Sequence, residues 1–536
     1  MDKHRYTFGS LLDRVAASYP NNTAIVEQGK RIGYAEFKEL TDTMAAGLLD
    51  YGLQKGDRVA LLMDNRLEWL IVQFAVTKAG GILVPINIRY RPHELDFVLG
   101  HSKPAFLIFI DQFLNTSFID ILLHSVSEDP NRPFVRFPSI KHAFCLGEQA
   151  YAGTKPYQAL LERGARISSK DLRAAVDRVD EQDIAQIIYT SGSTAAPKGA
   201  MLTHHSLCKH AEAISNRMHI QSDDRFWIPI PLSFSFACAN AIMNAIASGA
   251  ALILQRVFDP GKALELIASE RCTVMYANST IYLPMAGHSM LKDLDISFLK
   301  KGIAMGTPQN IKVLIHDMGV KQICTAYGMT ETTAISTLSD PLDAMDVRVN
   351  ANGFPFPEVT VIVKNPDTGE PVKPGEIGEL RVKGYNVMKG YWDDPEKTRE
   401  AFDEEGFLKT GDMGIIRDDG CAVFKGRYKD MLKTSGINVS TLEVESFIET
   451  HPGIESAYVV GIPDELKEEV GVAYLKSKEG LSLTEKDILD FCKGRIGSYK
   501  IPKVVRFVSE FPLTGSGKVK KQELREMALN EFKKKD

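Results

Sequence analysis

The 536-residue chain has no C-x-x-C pair, and its seven cysteines (Cys145, Cys208, Cys238, Cys272, Cys324, Cys421 and Cys492) form an odd, scattered set. That excludes a disulfide framework and a zinc site of the usual spacing, and it fits a reducing cytoplasm. No apolar run reaches the ~18 residues of a membrane span, so no transmembrane segment is expected. The opening MDKHRYTFGSLLDRV lacks the apolar stretch of a signal peptide. Neither sign of charge dominates: 64 Lys and Arg face 69 Asp and Glu, a net charge of −5. There is thus no global attraction to nucleic acid or to an anionic membrane, and any phosphate must be bound by a local site. There is no repeat of fixed period and no low-complexity tract. The remaining composition, 44% hydrophobic and 25% charged, is that of a soluble globular protein. Its length calls for several domain-sized units.

Helical and strand signals alternate through the first two-thirds. Phe8, Leu11, Leu12, Val15 and Ala16 recur at helical spacing, as do Phe37, Leu40, Met44, Leu48 and Leu49. Between such segments lie β-rich runs at 58–63, 81–86, 105–110, 185–190 and 251–255, with a crossover helix over Asn65–Ala79. This alternation predicts a mostly parallel sheet with helices on its faces. After about Ala351, turn dipeptides (Pro366-Asp367, Pro374-Gly375, Asp419-Gly420) separate VTVIVK, ELRVKG and CAVFKG, which read as antiparallel strands. The end of the chain predicts a helix near 441–450, strands at 456–461 and 470–476, a helix at 484–495 and a strand at 503–508. The expected division is therefore residues 1–426, with a β-rich subdomain over about 351–426, and a small α+β domain over 427–536.

Chemistry enters at Ile188-Tyr-Thr-Ser-Gly-Ser-Thr-Ala-Ala-Pro-Lys-Gly199. A β-run leads into Thr190, Ser191, Gly192, Ser193 and Thr194, then Lys198, before a helix from about His204. Hydroxyls, exposed backbone N–H groups and a lysine are what a polyphosphate needs. The GxxxxGK[ST] pattern does not fit, because Gly199 rather than a hydroxyl residue follows Lys198. Alone, the segment also reads as a flexible surface turn. Further along stand Tyr327-Gly-Met-Thr-Glu-Thr332, a turn at Thr410-Gly411-Asp412, Gly426-Arg427-x-Lys429-Asp430-x-x-Lys433, and Pro512-Leu-Thr-Gly-Ser-Gly-Lys518. With GELRVKGYNVMKGYW (378–392) and GIPDELKEE (461–469), in this order, they resemble the acyl-CoA synthetase, adenylation-domain and luciferase superfamily. The resemblance runs from about Phe8 to Arg525.

It implies an α/β fold: a large N-terminal region of two α/β subdomains with a β-barrel-like subdomain, and a small mobile C-terminal domain. The implied activity joins a carboxylic acid to coenzyme A through an acyl-adenylate, with ATP and Mg²⁺. Thr190–Thr194 and Lys198 would cradle the β- and γ-phosphates. Tyr327 and Gly328 would line the adenine on one side, and Gly306, Thr307 and Pro308 on the other. Thr330 would bind the α-phosphate and Glu331 the Mg²⁺, a hard cation that takes oxygen ligands. Asp412 would accept the ribose hydroxyls, joined there by Arg427; by itself Asp412 reads equally as a turn residue. Lys518 would be the catalytic cation at the α-phosphate, Lys429 the hinge, and Lys433 and Gly436 part of the CoA site.

Four positions depart from that pattern. Ala195 stands where Gly is usual, Phe234 where an imidazole is usual, Ala326 where Gly is frequent, and Thr441 where Pro is common. Phe234, Ser235 and Ala326 are expected at the acyl pocket. Amino-acid-activating relatives carry Asp at the position of Ser235, and a buried ammonium without a carboxylate is costly. An α-amino acid is therefore disfavoured, and a medium-chain, alicyclic or aromatic monocarboxylate is expected. The alternative is an acyl-AMP ligase that loads a carrier-protein phosphopantetheine. No surplus segment lies between Glu331 and Lys433, which favours CoA. A homodimer is compatible with the sequence.

Overall fold

A computed structural model describes residues 5–90, 92–124, 136–147, 151–190, 197–434, 437–464, 468–496, 500–514 and 518–532. The predicted apolar runs form the strands Arg58–Leu62, Ile82–Ile86, Phe106–Ile110, Ile184–Thr190 and Ala251–Leu254. They belong to two seven-stranded sheets. One runs in the order Lys198–Thr203, Ile184–Thr190, Ile82–Ile86, Arg58–Leu62, Phe106–Ile110, His142–Leu146, Lys155–Pro156. The other runs Gln322–Cys324, Lys301–Met305, Val274–Asn278, Arg225–Ile228, Ala251–Leu254, Thr23–Glu27, Lys30–Gly33. In each, one edge hairpin is antiparallel and the other pairings are parallel.

The expected crossover helix is Leu67–Lys78, buried at every position but Glu68. A helix apolar on all sides belongs inside the protein. The Gln73 side-chain amide donates to the Cys238 carbonyl at 2.9 Å, tying this helix to the segment that follows the second sheet's strand Arg225–Ile228. Lys78 at its end is also buried, and its ammonium lies 2.6 Å from both Asp13 and Asp42.

The turn-rich region forms a four-stranded antiparallel sheet, Val359–Lys364, Gly378–Gly384, Leu408–Ile416 and Ala422–Arg427. The last part of the chain builds a five-stranded sheet around Ile454–Asp464 and Glu468–Ser477. Alternation with period two sends its side chains to two separate cores. Ala457, Val459, Ala473 and Leu475 pack with Val444, Ile448 and Ile488, under the helices Thr441–Ile448 and Glu485–Cys492. Val460, Ile462, Val472 and Tyr474 pack with Leu524 and Ala528 of the terminal helix Lys521–Phe532.

Three expectations are corrected. Lys198 begins a strand, Lys198–Thr203, rather than ending a loop. Thr410-Gly411-Asp412 lies inside the strand Leu408–Ile416 rather than closing a turn after it. The terminal helix was not anticipated. All seven cysteines are free and buried, and no helix among the described residues is long and apolar enough to cross a membrane.

Candidate active site

The parallel strands Lys301–Met305 and Gln322–Cys324 end side by side, and the chain beyond each carries candidate residues. In sheets of this kind, ligands bind beyond the carboxyl ends of the strands. After Met305, Gly306 leads to Thr307, whose hydroxyl caps the helix Pro308–His316. After Cys324, Ala326–Tyr327 pairs with Thr337–Leu338, and the loop between them folds tightly. A Cβ on Gly328 would lie 2.4 Å from the Ala334 carbonyl oxygen, so glycine is needed there. Thr333 and Ala334 adopt φ of 53° and 71°, a left-handed strain of about 1–2 kcal/mol each. Asn386 holds the loop in place: its amide reaches the carbonyls of Thr332 and Ile335, both at 3.2 Å, and its own carbonyl accepts from the Thr333 hydroxyl at 2.7 Å. The result is a 3₁₀ turn at Thr330–Thr332 that points two chemically active side chains.

Tyr327 is buried and stacks on Phe424, with ring centroids 5.8 Å apart. Its hydroxyl donates to Asp412 Oδ2 at 3.1 Å. Asp412 sits opposite Arg427 in the strand register, with the guanidinium Nε 3.6 Å from Oδ1. Burial raises the Asp412 pKa to about 6, against the pull of Arg427 and of the Tyr327 hydrogen bond. A carboxylate kept this dry, with a cation beside it, is poised for hydroxyl donors.

Lys518 arrives from the terminal region. By accessible surface it is exposed. Desolvation lowers its pKa, Arg427 lowers it further and Asp412 opposes both. Glu449 marks a second approach of the same region: burial raises its pKa to about 7, opposed by the Ala457 amide and then by the Thr307 hydroxyl.

The ends of the segment expected to cradle phosphates meet where Thr190 pairs with Lys198, and the Thr190 hydroxyl donates to the Lys198 carbonyl at 3.4 Å. The Lys198 ammonium lies 4.6 Å from the centroid of the Tyr391 ring. The Tyr391 hydroxyl donates to Glu331 Oε1 at 2.9 Å. On the other side of Glu331, the hydroxyls of Thr330 and Ser235 are 2.9 Å apart. Phe234 is half-buried against the core, just before a π-helical turn at Phe236–Ala241, a rare element frequent at functional sites. Ala326 is also half-buried, and its carbonyl accepts from the Asn352 amide at 3.1 Å.

Ser191, Gly192, Ser193, Thr194 and Gly436 lie outside the described residues. Lys429 and Lys433 are described by backbone alone, in the 3₁₀ turn Tyr428–Asp430 and the strand Leu432–Thr434. Sequence reasoning assigned no role to Phe424, Glu449 or Tyr391; Tyr391 was visible only as part of the matched stretch 378–392. Among the described residues no group of three or more His, Cys, Asp or Glu could hold a metal. A single buried carboxylate, Glu331, therefore fits an ion shared with phosphate oxygens, as Mg²⁺ usually is, rather than one caged by protein.

A family model described as AMP-binding enzyme matches residues 12–392, and one described as AMP-binding enzyme C-terminal domain matches residues 443–518. The chain is 35% identical over 536 residues to the putative acyl-CoA synthetase YngI of Bacillus subtilis (strain 168), covering 98% of each. It is 32% identical over 543 residues to the mitochondrial medium-chain acyl-CoA ligase ACSF2 of Rattus norvegicus, covering 98% of this chain and 88% of that one. Its structure is similar to that of the anthranilate CoA ligase AuaEII in complex with anthranoyl-AMP. There the TM-score is 0.87 at 25% identity, covering 99% of this chain and 98% of that one.

Proposed function

The chain belongs to the AMP-binding enzyme family, as an acyl-CoA synthetase-type adenylate-forming ligase, and from that premise we propose that it converts a medium-chain, alicyclic or aromatic monocarboxylate to its CoA thioester in the cytoplasm. The observation that carries this reading is the convergence of Tyr327, Asp412, Arg427 and Lys518 on one another, with Glu331 and Lys198 meeting at Tyr391.

In this reading the Tyr327–Phe424 stack offers one wall to the adenine, and Gly306–Pro308 the other. Asp412 and Arg427 take the ribose hydroxyls. Thr190–Thr194 and Lys198 receive the β- and γ-phosphates, and Glu331 holds Mg²⁺, which supplies neutralisation of phosphate charge when bound. Thr330 donates to the α-phosphate. The substrate carboxylate attacks phosphorus, pyrophosphate leaves, and Lys518 meets the charge that grows on the α-phosphoryl oxygens. A cation placed there stabilises the transition state more than the ground state.

Thioester formation follows when the domain beginning near Arg427 turns about Lys429, presenting Lys433 and Gly436 to the CoA arm. The hinge reading is supported by its surroundings: Lys429 lies in the 3₁₀ turn Tyr428–Asp430 that follows the strand Ala422–Arg427, and its neighbour Tyr428 is tied to Asp367 by a 3.2 Å hydrogen bond. Proline fixes φ near −65° and so blocks the backbone change. Lys429→Pro is expected to retain pyrophosphate release while acyl-CoA production collapses. Acyl-CoA formed at the wild-type rate would move the hinge elsewhere.

The names of the relatives support the size of the acid: medium-chain acids for ACSF2 and anthranilate for AuaEII. Phe234 and Ala326 shape the pocket, and Ser235 leaves no carboxylate for an ammonium. Pyrophosphate release measured over a panel of C4–C14 acids, benzoate and cyclohexanecarboxylate, with and without CoA, tests the whole proposal. Acyl-AMP that accumulates and reaches only a phosphopantetheine carrier would establish the carrier-loading alternative. In the same panel, Ala326→Gly is expected to shift kcat/KM about 10-fold or more toward longer or bulkier acids, because one methylene of space in an apolar pocket discriminates by that order. An unchanged rank order would assign the pocket's depth to another residue.

A further inference from the structure

We propose that Tyr391 is a positioning residue that keeps the Glu331 carboxylate and the Lys198 ammonium apart and directs both at the triphosphate. The proposal rests on the adenylating role given to Glu331 and Lys198 above.

Glu331 and Lys198 carry opposite charges and lie against the same side chain. The carboxylate is bound to its hydroxyl end at 2.9 Å, and the ammonium sits 4.6 Å from its ring centroid. Yet Lys198 makes no ion pair among the described residues, and the Tyr391 hydroxyl is the only described side chain hydrogen-bonded to the Glu331 carboxylate. Opposite charges held against one side chain attract, and direct pairing would neutralise both. The ring prevents that. Its negative face attracts the ammonium without saturating its donors, and its hydroxyl fixes one carboxylate oxygen while leaving the other available.

The backbone makes the arrangement rigid. Residues 389–392 join the edge of the strand that Lys198 opens: Lys389 N–H donates to the Met201 carbonyl at 2.9 Å, Met201 N–H to Gly390 at 3.0 Å and Trp392 N–H to Gly199 at 2.8 Å. The preceding residue, Met388, donates to the Glu331 carbonyl at 2.8 Å. The turn that carries Glu331 and the strand that carries Lys198 are therefore joined through one short segment. Tyr391 is itself anchored by Thr398, whose hydroxyl accepts its N–H at 2.9 Å. Gly390 takes φ of 138°, and a Cβ there would meet Thr398 Cγ2 at 2.6 Å.

Tyr391→Phe removes the hydroxyl and keeps the ring; Tyr391→Leu removes both. In the phenylalanine variant, the Mg²⁺ concentration giving half-maximal pyrophosphate release is expected to rise about 10-fold, the weight of one hydrogen bond to a charged group. Calorimetric titration with ATP should show the affinity gained on adding Mg²⁺ shrinking by the same factor, while binding of Mg²⁺-free ATP stays as in the wild type. Tyr391→Leu should in addition weaken binding of Mg²⁺-free ATP, through Lys198. Conversion of supplied acyl-adenylate to acyl-CoA should be retained in both. A phenylalanine variant with wild-type Mg²⁺ dependence and wild-type calorimetry overturns the proposal. So does a variant that loses adenylate formation and thioester formation in parallel, which would mean a purely structural tyrosine. Failure of the wild type to release pyrophosphate with any acid would instead overturn the adenylating role itself.

Discussion

Lys518→Ala is expected to slow acyl-adenylate formation by about 10²–10³-fold or more, the cost of removing one preorganised donor to a transition-state oxyanion, while acyl-CoA is still made from a supplied acyl-adenylate. The two half-reactions should separate because the proposed role of Lys518 belongs only to the first. Asp412 and Arg427, the residues that the proposed reading gives to the ribose hydroxyls, are the two charges that act on its ammonium. Attack of one anion on another is the step that needs it. Once the adenylate exists, its mixed anhydride is already activated, and in the proposed cycle the last domain would turn this face away to admit the thiol. Single-turnover assays of each half-reaction distinguish the roles. Equal loss in both would remove Lys518 from the chemistry and leave it as a structural contact.

The parts of this fold that repeat locally were legible, and those that depend on distant pairing were not. Parallel strands buried on both faces read as continuous apolar runs such as Phe106–Ile110, and the helix Leu67–Lys78 between two of them could be placed within a few residues. The strand Lys198–Thr203 was hidden, because its lysine and glycine resemble the end of a loop and only its pairing with Ile184–Thr190 makes it a strand. Asp412 was hidden in the same way. Thr-Gly-Asp has turn composition, and Gly411 does adopt φ of 69°; yet the ladder to Arg427 carries the strand straight through it. The site residues themselves were legible only jointly, through motifs whose order recurs across a family. Composition says nothing of Phe424 beneath Tyr327 or of Tyr391 between Glu331 and Lys198, because each contact joins segments at least 60 residues apart in the chain. Glu449, the residue that follows the helix Thr441–Ile448, carries no local signal of the burial that raises its pKa or of its hydrogen bond with the Thr307 hydroxyl.

That same non-local burial gives Asp412 the second large effect. Asp412→Asn is expected to weaken ATP binding about 10–100-fold, because hydrogen bonds to an ionised carboxylate are worth roughly 1.5–3 kcal/mol, and at the same time to raise the melting temperature of the free enzyme at pH 7.5. The sign of the second effect follows from the pKa. Burial lifts it from 3.8 to about 6, so the folded protein holds this proton more tightly than the unfolded chain. The resulting stability is fully present below pH 3.8 and is lost as pH rises through 6. Above pH 6 the ionised side chain therefore costs up to about 3 kcal/mol, a burden that Arg427 and the Tyr327 hydroxyl only partly offset. Asparagine has the same shape and can still accept from Tyr327, but it carries no charge to desolvate. The gain should be absent near pH 4, where the wild-type carboxyl is protonated. Ligand binding runs the other way. Wild-type affinity for ATP should fall about tenfold per unit below pH 6 as the carboxylate takes up its proton, while the variant's weaker affinity stays flat over the same range. Thermal melts and ATP titrations of both proteins from pH 4.5 to 8 test the two halves together. A variant that is less stable than the wild type at pH 7.5, or whose ATP affinity keeps the wild-type pH profile, would show that the Asp412 carboxylate is not the group that destabilises the fold when ionised and binds the nucleotide.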